Sequence, residues 1–145
     1  MDHIGILSDG KTYDCQSVNE NIVGEFILPN GSQESLEILR HSTAHLMAQA
    51  IKELYPDAQF FVGPVVNEGF YYDFKVDAKI SENDFEAIEA KMGEIASKNL
   101  EITKYECSRN EIEAKFANDP LKMMVLKNIK DDVLTLYKQG EFEDL

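Results

Sequence analysis

The apolar residues between positions 32 and 56 recur about every 100° around a helical wheel, which predicts one long amphipathic helix. Ser32 is a plausible N-cap, and Pro56 is expected to end the helix. The apolar stripe consists of Leu36, Leu39, Leu46, Met47, Ala50, Ile51 and Leu54. His41 and His45 fall on the opposite side of this helix. That side also carries Glu34, Glu37, Gln49 and Lys52.

Alternating apolar and polar positions predict strands on both sides of this helix. Residues 1–31 contain two alternating runs around Asp9-Gly10, a favourable hairpin turn pair, and a brief strand before Pro29. After the helix, the aromatic and β-branched segments AQFFVGPVV and GFYYDFKV predict a second hairpin. The segment LEITKYECS alternates as a strand. The end of the chain, DVLTLYKQGEFEDL, predicts two strands around Gln139-Gly140.

Three more helices follow from caps and spacing. Ser81 and Asp84 form a variant of the capping box at the start of the second helix. Its buried side is expected to contain Phe85, Ile88, Met92, Ile95 and Leu100. RNEIEAKFA and PLKMMVLKNI predict two shorter helices, separated by Asn118-Asp119-Pro120. The predicted fold class is α+β, with helices packed on a mostly antiparallel sheet and a short β hairpin region at residues 1–31.

Composition narrows the possible functions. The net charge of −13 and pI near 4.5 disfavour binding a nucleic acid along an extended surface, because phosphate contacts require Lys or Arg. A hydrophobic content of 43% is sufficient for a core. Cys15 and Cys107 form no Cys-x-x-Cys spacing and are expected to be free thiols. We find neither a signal peptide nor an apolar run of ~18 residues, so we expect a cytoplasmic protein without a membrane span.

The spacing of His41 and His45 leaves several chemical interpretations open. Side chains four residues apart on a helix project side by side, so both imidazoles could bind one metal ion. They could equally orient a water and hold a hydroxyl of a substrate, or simply lie on a solvated face. A zinc protease is disfavoured, since the residue after His41 is Ser42 and not the catalytic glutamate of that motif.

The motifs together favour one family. LRHSTAHLMAQAIKELYP, then FFVGPVVNEGFYYDF, then YKQGEFEDL, resemble the amino-terminal editing region of bacterial threonyl-tRNA synthetases from about Leu36 to Leu145. The resemblance implies that 1–31 is a remnant of a ubiquitin-like domain and that 32–145 is an editing domain. In that family a Cys-x-x-x-His motif follows immediately, so we expect the chain to be a truncated fragment with an incomplete site.

The resemblance also implies roles for particular residues. Such enzymes attach threonine to its tRNA using ATP, and their editing site hydrolyses mischarged seryl-tRNA. His41 and His45 would line the pocket for the terminal adenosine and the aminoacyl group. Lys122 would position the water or the ester, and Asp144 would bind the substrate amino group. Tyr72 matches an aromatic pocket residue, and Asp73 would support the loop.

The same resemblance sets expectations for cofactors and partners. No metal is expected in this region, whereas ATP, Mg and a zinc in the catalytic core are expected for the parent enzyme. The expected partners are the 3′ end of aminoacylated tRNA(Thr) and the remaining synthetase domains, with a homodimer formed through the core. Two alternatives are a zinc-dependent editing domain of the alanyl type and a non-catalytic fragment that binds the tRNA end.

Overall fold

A computed structural model of the chain describes residues 5–8, 11–14, 25–27 and 33–145. The first three of these ranges are the strands β1 (Gly5–Ser8), β2 (Lys11–Asp14) and β3 (Glu25–Ile27), and β1 pairs antiparallel with both of the others. The pairing of β1 with β2 is the arrangement that the alternation around Asp9-Gly10 predicts. That turn, together with Ser32, Cys15 and Pro29, lies outside the described residues. The division of the chain into two domains stays a prediction.

The helices and strands after position 32 confirm the predicted α+β class. The helices are α1 (Gln33–Leu54), α2 (Phe85–Ser97), α3 (Arg109–Lys115) and α4 (Pro120–Asn128). The strands are β4 (Gln59–Phe60), β5 (Val65–Val66), β6 (Gly69–Phe70), β7 (Phe74–Lys75), β8 (Ile102–Ser108), β9 (Val133–Gln139) and β10 (Phe142–Asp144). Within the described segments no helix is both long enough and apolar enough to span a bilayer.

The predicted second hairpin is present as two short antiparallel pairs, β4 with β7 and β5 with β6. Its outer end is the turn at Asn67 and Glu68, which Arg40 on α1 fixes by donating to the Asn67 carbonyl at 2.7 Å. The turn is therefore tied directly to the helix that carries the two histidines.

Local signals explain where most helices begin. At α3, the Ser108 side chain accepts from the Glu111 amide while Glu111 caps the Ser108 amide. Asp119 caps α4, which has Pro120 in its first turn. The capping box of Ser81 and Asp84 is also present, but it opens a short 3₁₀ turn (Glu82–Asp84) that leads into α2.

The sheet formed by the last three strands, called the three-stranded sheet below, lies between two helical layers. Its order is β10-β9-β8, with both pairs antiparallel. Buried Cys107 and Leu134 on one face pack with Ile112 of α3 and Leu126 of α4. Because neighbouring residues of a strand alternate between faces, Lys104 and Tyr137 lie on the other face, where Tyr137 packs against the histidines of α1.

The buried side of α1 is wider than predicted. Ala48 and Ile51 join a core cluster with Ala58, Phe60 and Ile88, whereas Leu36 and Leu39 are 40% and 54% exposed. His45 and Gln49, assigned from periodicity to the opposite polar face, are buried. The interpretation of a single apolar stripe centred on Leu36 was therefore wrong: α1 is covered on two sides, by the hairpin with α2 and by the three-stranded sheet.

The second helix needs one correction of the same kind. Ile88 and Ile95 are buried as predicted, and Met92 is partly buried against the core. Phe85, however, is 54% exposed. It is the first residue of α2, where the 3₁₀ turn gives way to the α-helix, so its side chain does not follow the stripe that the later positions form.

Candidate active site

A cleft of about 480 Å³ opens between α1, the outer end of the second hairpin and the three-stranded sheet. This volume falls in the range typical of small-molecule sites. Helix α1 contributes both histidines, and the hairpin contributes a short apolar rim. The lining residues are Gln33, Glu37, Ile38, His41, Ser42, His45, Val65, Val66, Asn67, Ile102, Lys104, Tyr137 and Gln139.

The two imidazoles stack on each other and on one tyrosine of the sheet. The ring centroids of His41 and His45 lie 4.5 Å apart. The ring of Tyr137 meets both edge-on, at 4.8 Å from His41 and 5.2 Å from His45. This geometry fixes the direction in which each imidazole faces. The Nε2 atom of His41 is buried and has no hydrogen-bond partner among the described residues, so it can bond a ligand.

Burial keeps both histidines in the neutral form. Desolvation is the main cause that lowers the pKa of His41 and of His45, the latter to about 4, because burial disfavours the charged imidazolium. The Asp144 carboxylate opposes this in both cases but does not outweigh it. Neutral imidazoles at pH 7 can accept a proton or orient a water molecule.

A buried polar cluster lies behind His45. The Lys122 ammonium is 2.5 Å from Oδ1 of Asp144, and Nε2 of His45 is 3.8 Å from Oδ2. The Tyr72 hydroxyl donates to Oδ2 of Asp144 and accepts from Lys122 at 3.1 Å. Lys122 also donates to the carbonyl of Phe61 at 3.3 Å. Burial, followed by the negative charge of Asp144, raises the pKa of Tyr72, so its hydroxyl stays protonated.

The structure thus brings five of the six predicted site residues together. His41 and His45 face the cleft, while Tyr72, Lys122 and Asp144 form the cluster that supports His45. Tyr72, Lys122 and Asp144 do not line the cleft itself; Lys122 and Asp144 instead border a second cavity of about 410 Å³. Asp73 does not join the cluster. Its side chain is exposed, while its amide and carbonyl pair with the backbone of Val62 and Phe61.

Several cleft residues were missed from the sequence. The alternation of LEITKYECS and DVLTLYKQG places Ile102 and Lys104 on one face of β8, and Tyr137 and Gln139 on one face of β9. The observed register then pairs Lys104 with Tyr137 and Ile102 with Gln139. Alternation alone does not say which face of the sheet α1 covers, so these residues gave no signal before the fold was known.

The donor set near the histidines does not fit a metal site. No group of three or more His, Cys, Asp or Glu side chains arranged to hold a metal occurs in the part of the chain that the structure describes. Two imidazoles alone fall short of the three protein ligands of catalytic zinc or the four of structural zinc. Cys107, a free thiol, is buried in the cluster on the far face of the sheet.

Sequence comparison shows which class of proteins this chain is similar to. No family model matches the chain. Its curated relatives are aminoacyl-tRNA synthetases. They are threonine–tRNA ligases, with 59% identity over 143 residues in Sulfurovum sp. (strain NBC37-1), 59% over 143 residues in Helicobacter hepaticus and 56% over 144 residues in Campylobacter lari.

The matches cover nearly the whole of this chain but only part of each ligase. They cover 98–99% of this chain but 24% of each of the three ligases. The chain is therefore homologous to one region of threonine–tRNA ligases, spanning about a quarter of their length. This finding confirms the resemblance to the ligase family inferred from the motifs around the histidines, the second hairpin and the last two strands.

Proposed function

We propose that this chain is the region of a threonine–tRNA ligase that hydrolyses mischarged seryl-tRNA(Thr). Homology to the ligases supports the parent activity, ATP-dependent attachment of threonine to its tRNA. The observation that carries the editing role is a pair of neutral imidazoles lining a cleft, His45 buried and His41 half-buried, with no hydrogen-bond partner for His41 Nε2 among the described residues. The ATP, Mg and zinc expected for the parent belong, on this proposal, to its other regions.

The reaction is an ester hydrolysis. Water attacks the carbonyl carbon of the seryl ester, the bond from that carbon to the ribose oxygen breaks, and serine and the free tRNA hydroxyl leave. His41 accepts a proton from the attacking water and gives it to the ribose oxygen as the ester bond breaks, and His45 orients the water or a ribose hydroxyl. Tyr72, Lys122 and Asp144 hold His45 in position from behind the cleft.

A separate hydrolytic site compensates for the limited selectivity of the synthetic site between threonine and serine. The methyl group that distinguishes threonine from serine is worth only ~1–3 kcal/mol in binding, so a synthetic site selects poorly against serine. A narrow hydrolytic cleft reverses the selection, because serine fits and the additional methyl group of threonine displaces the water. This logic implies hydrolysis of the seryl ester and retention of the threonyl ester.

The direct test measures release of labelled serine and threonine from the two aminoacylated forms of tRNA(Thr). Because the chain spans a quarter of its relatives, two proteins are assayed: the chain itself, and the Campylobacter lari ligase with this chain replacing its homologous region. Threonylation by the hybrid reports that it is folded. We expect hydrolysis of the seryl ester at least about tenfold faster than that of the threonyl ester.

Variants link the activity to the cleft. His41→Ala should lower the rate about 10²-fold or more, the usual contribution of a general base. Leu39→Ala is the matched control, because Leu39 lies on the same helix and is 54% exposed. Absence of serine release from both proteins, equal cleavage of the two esters, or a full rate in folded His41→Ala would refute the proposal.

Metal analysis separates the alanyl-type alternative. The purified chain is dialysed against zinc and its metal content is measured. Zinc bound in a one-to-one ratio and lost in His45→Ala would favour that alternative over the metal-free reaction proposed here.

A further inference from the structure

The three-stranded sheet presents a row of charged and aromatic side chains directly beneath the histidines. The register pairs Lys104 of β8 with Tyr137 of β9, and Tyr137 with Asp144 of β10. Residues that pair across antiparallel strands share a face of the sheet. Lys104, Tyr137 and Asp144 therefore form one line across the sheet, with a cation at one end and a carboxylate at the other.

The histidines lie above the middle of this row. Tyr137 packs edge-on against both imidazoles. His45 lies 3.8 Å from Asp144. At the other end, the Lys104 ammonium lies 5.9 Å from the centre of the Tyr137 ring, so the aromatic face helps to hold it. The line of charge thus runs beneath the point at which the proposed ester is cleaved.

Lys104 is the one lysine or arginine among the described residues that line the cleft. The single lining carboxylate on the described surface of that cleft belongs to Glu37 of α1. In a chain with a net charge of −13, a cation beside the proposed catalytic pair is the local feature most favourable for an anionic group.

We propose that Lys104 forms a subsite for the 5′-phosphate of the nucleoside that carries the ester. This inference rests on the proposed function and gives the ligand a direction in the cleft: ester at the histidines, phosphate at Lys104. One strand spacing, about 5 Å, separates the backbone of Lys104 from that of Tyr137, which packs against both imidazoles.

The test compares adenosine, adenosine 5′-monophosphate and inorganic phosphate, each titrated into the 145-residue chain and followed by NMR. The nucleotide should bind about tenfold more tightly than the nucleoside, the magnitude of one charge-assisted hydrogen bond. Inorganic phosphate alone should bind more weakly than the nucleotide, because the subsite is one part of a larger cleft.

Three variants assign this preference to one side chain. Lys104→Gln should make the affinities for the nucleotide and the nucleoside equal, while Lys104→Arg should retain most of the preference. Lys138→Gln is the control: it removes the same charge from the same sheet, but Lys138 follows Tyr137 in β9 and so lies on the opposite face. Its preference should match that of the wild type.

The outcomes also separate this inference from the proposed function. Equal binding of nucleotide and nucleoside by the wild type, no binding of either, a preference that survives in Lys104→Gln, or phosphate binding as tight as that of the nucleotide would each overturn the subsite. Serine release from seryl-tRNA with no phosphate preference would refute the subsite alone. A phosphate preference without serine release would refute the editing reaction alone.

Discussion

At the scale of the residue, the most informative side chain is His45, which is buried without being charged. Its Nε2 lies 3.8 Å from the Asp144 carboxylate, but Lys122 is closer to that carboxylate and neutralises it. The cost of desolvation therefore outweighs the opposing charge of Asp144 and holds the pKa of His45 at about 4. This neutrality suits a group that must accept hydrogen bonds at pH 7.

The pKa of His45 makes stability depend on pH. Below an unfolded-state pKa near 6.5, the unfolded chain binds a proton at this histidine that the folded chain does not bind. The free energy of unfolding should therefore fall between pH 6.5 and pH 4, by up to about 3 kcal/mol from this group. Urea unfolding at several pH values should give a smaller fall for His45→Gln. Parallel pH curves for the two proteins would contradict the assignment.

Gly63 is required by the packing of Tyr72. A Cβ atom at Gly63 would lie 2.5 Å from Cδ2 of the Tyr72 ring, so an alanine there must displace the ring from Asp144 and Lys122. We expect Gly63→Ala to lower the free energy of unfolding by about 1–3 kcal/mol, as overpacking does. Gly69→Ala is the control, because nothing lies within 4 Å of its Cβ position. Equal stability of the two variants in urea would exclude this explanation.

At the scale of the element, one arginine joins α3 to α4, the helix that carries Lys122 of the polar cluster. Arg109, the first residue of α3, donates to the carbonyls of Leu126, Ile129 and Asp131 at 3.0 Å for Leu126 and 2.9 Å for Asp131. These carbonyls lie at and just after the end of α4, the helix on which Lys122 sits. Arg109 thereby satisfies acceptors that a helix leaves unpaired at its C-terminal end.

Arg109→Lys should show how much the fork, the three hydrogen bonds from the Arg109 guanidinium to these carbonyls, contributes to the free energy of unfolding. A lysine keeps the charge but cannot reach three carbonyls from one planar group, so we expect a loss of about 1–3 kcal/mol in the free energy of unfolding. Glu113→Gln removes only the exposed 3.7 Å ion pair with Arg109 and should cost less than about 1 kcal/mol. If both variants lose the same amount, the ion pair and not the fork is responsible.

The helices and strands also show which features of the fold the sequence patterns could predict. Spacing and alternation predicted the four helices, the last three strands and the second hairpin after position 32, because signals such as Pro56 and Ser81 act locally; the division of that hairpin into two short pairs was not predicted. The burial of His45 and Gln49 could not be predicted, since periodicity finds one apolar stripe and α1 is covered on two sides. The same limit hid Lys104 and Tyr137: their place beneath the histidines depends on which face of the sheet meets α1, a tertiary fact.

At the scale of the whole molecule, the net charge disfavours binding a nucleic acid, whereas the cleft favours contact with a single phosphate. A net charge of −13 repels an extended polyanion, whereas the cleft offers one lysine beside the histidines among its described lining residues. We infer that this chain recognises only the end of a tRNA. On the proposed function, the remaining affinity for tRNA is supplied by regions such as the other three quarters of the related ligases, of which this chain matches 24%.

This division predicts weak binding of tRNA(Thr) by the chain alone, with a shallow dependence on salt. Each phosphate contact contributes about −0.7 to −0.9 to the slope of log K against log[salt], so a single contact at Lys104 gives a slope no steeper than about −1. Fluorescence anisotropy with labelled tRNA between low and moderate NaCl measures this slope, and the hybrid ligase provides the comparison, with tighter binding and a steeper slope. A slope steeper than about −4 for the chain alone would require several phosphate contacts. The chain would then carry a basic surface that contacts several phosphates, and the inference that it recognises only the end of a tRNA would be wrong.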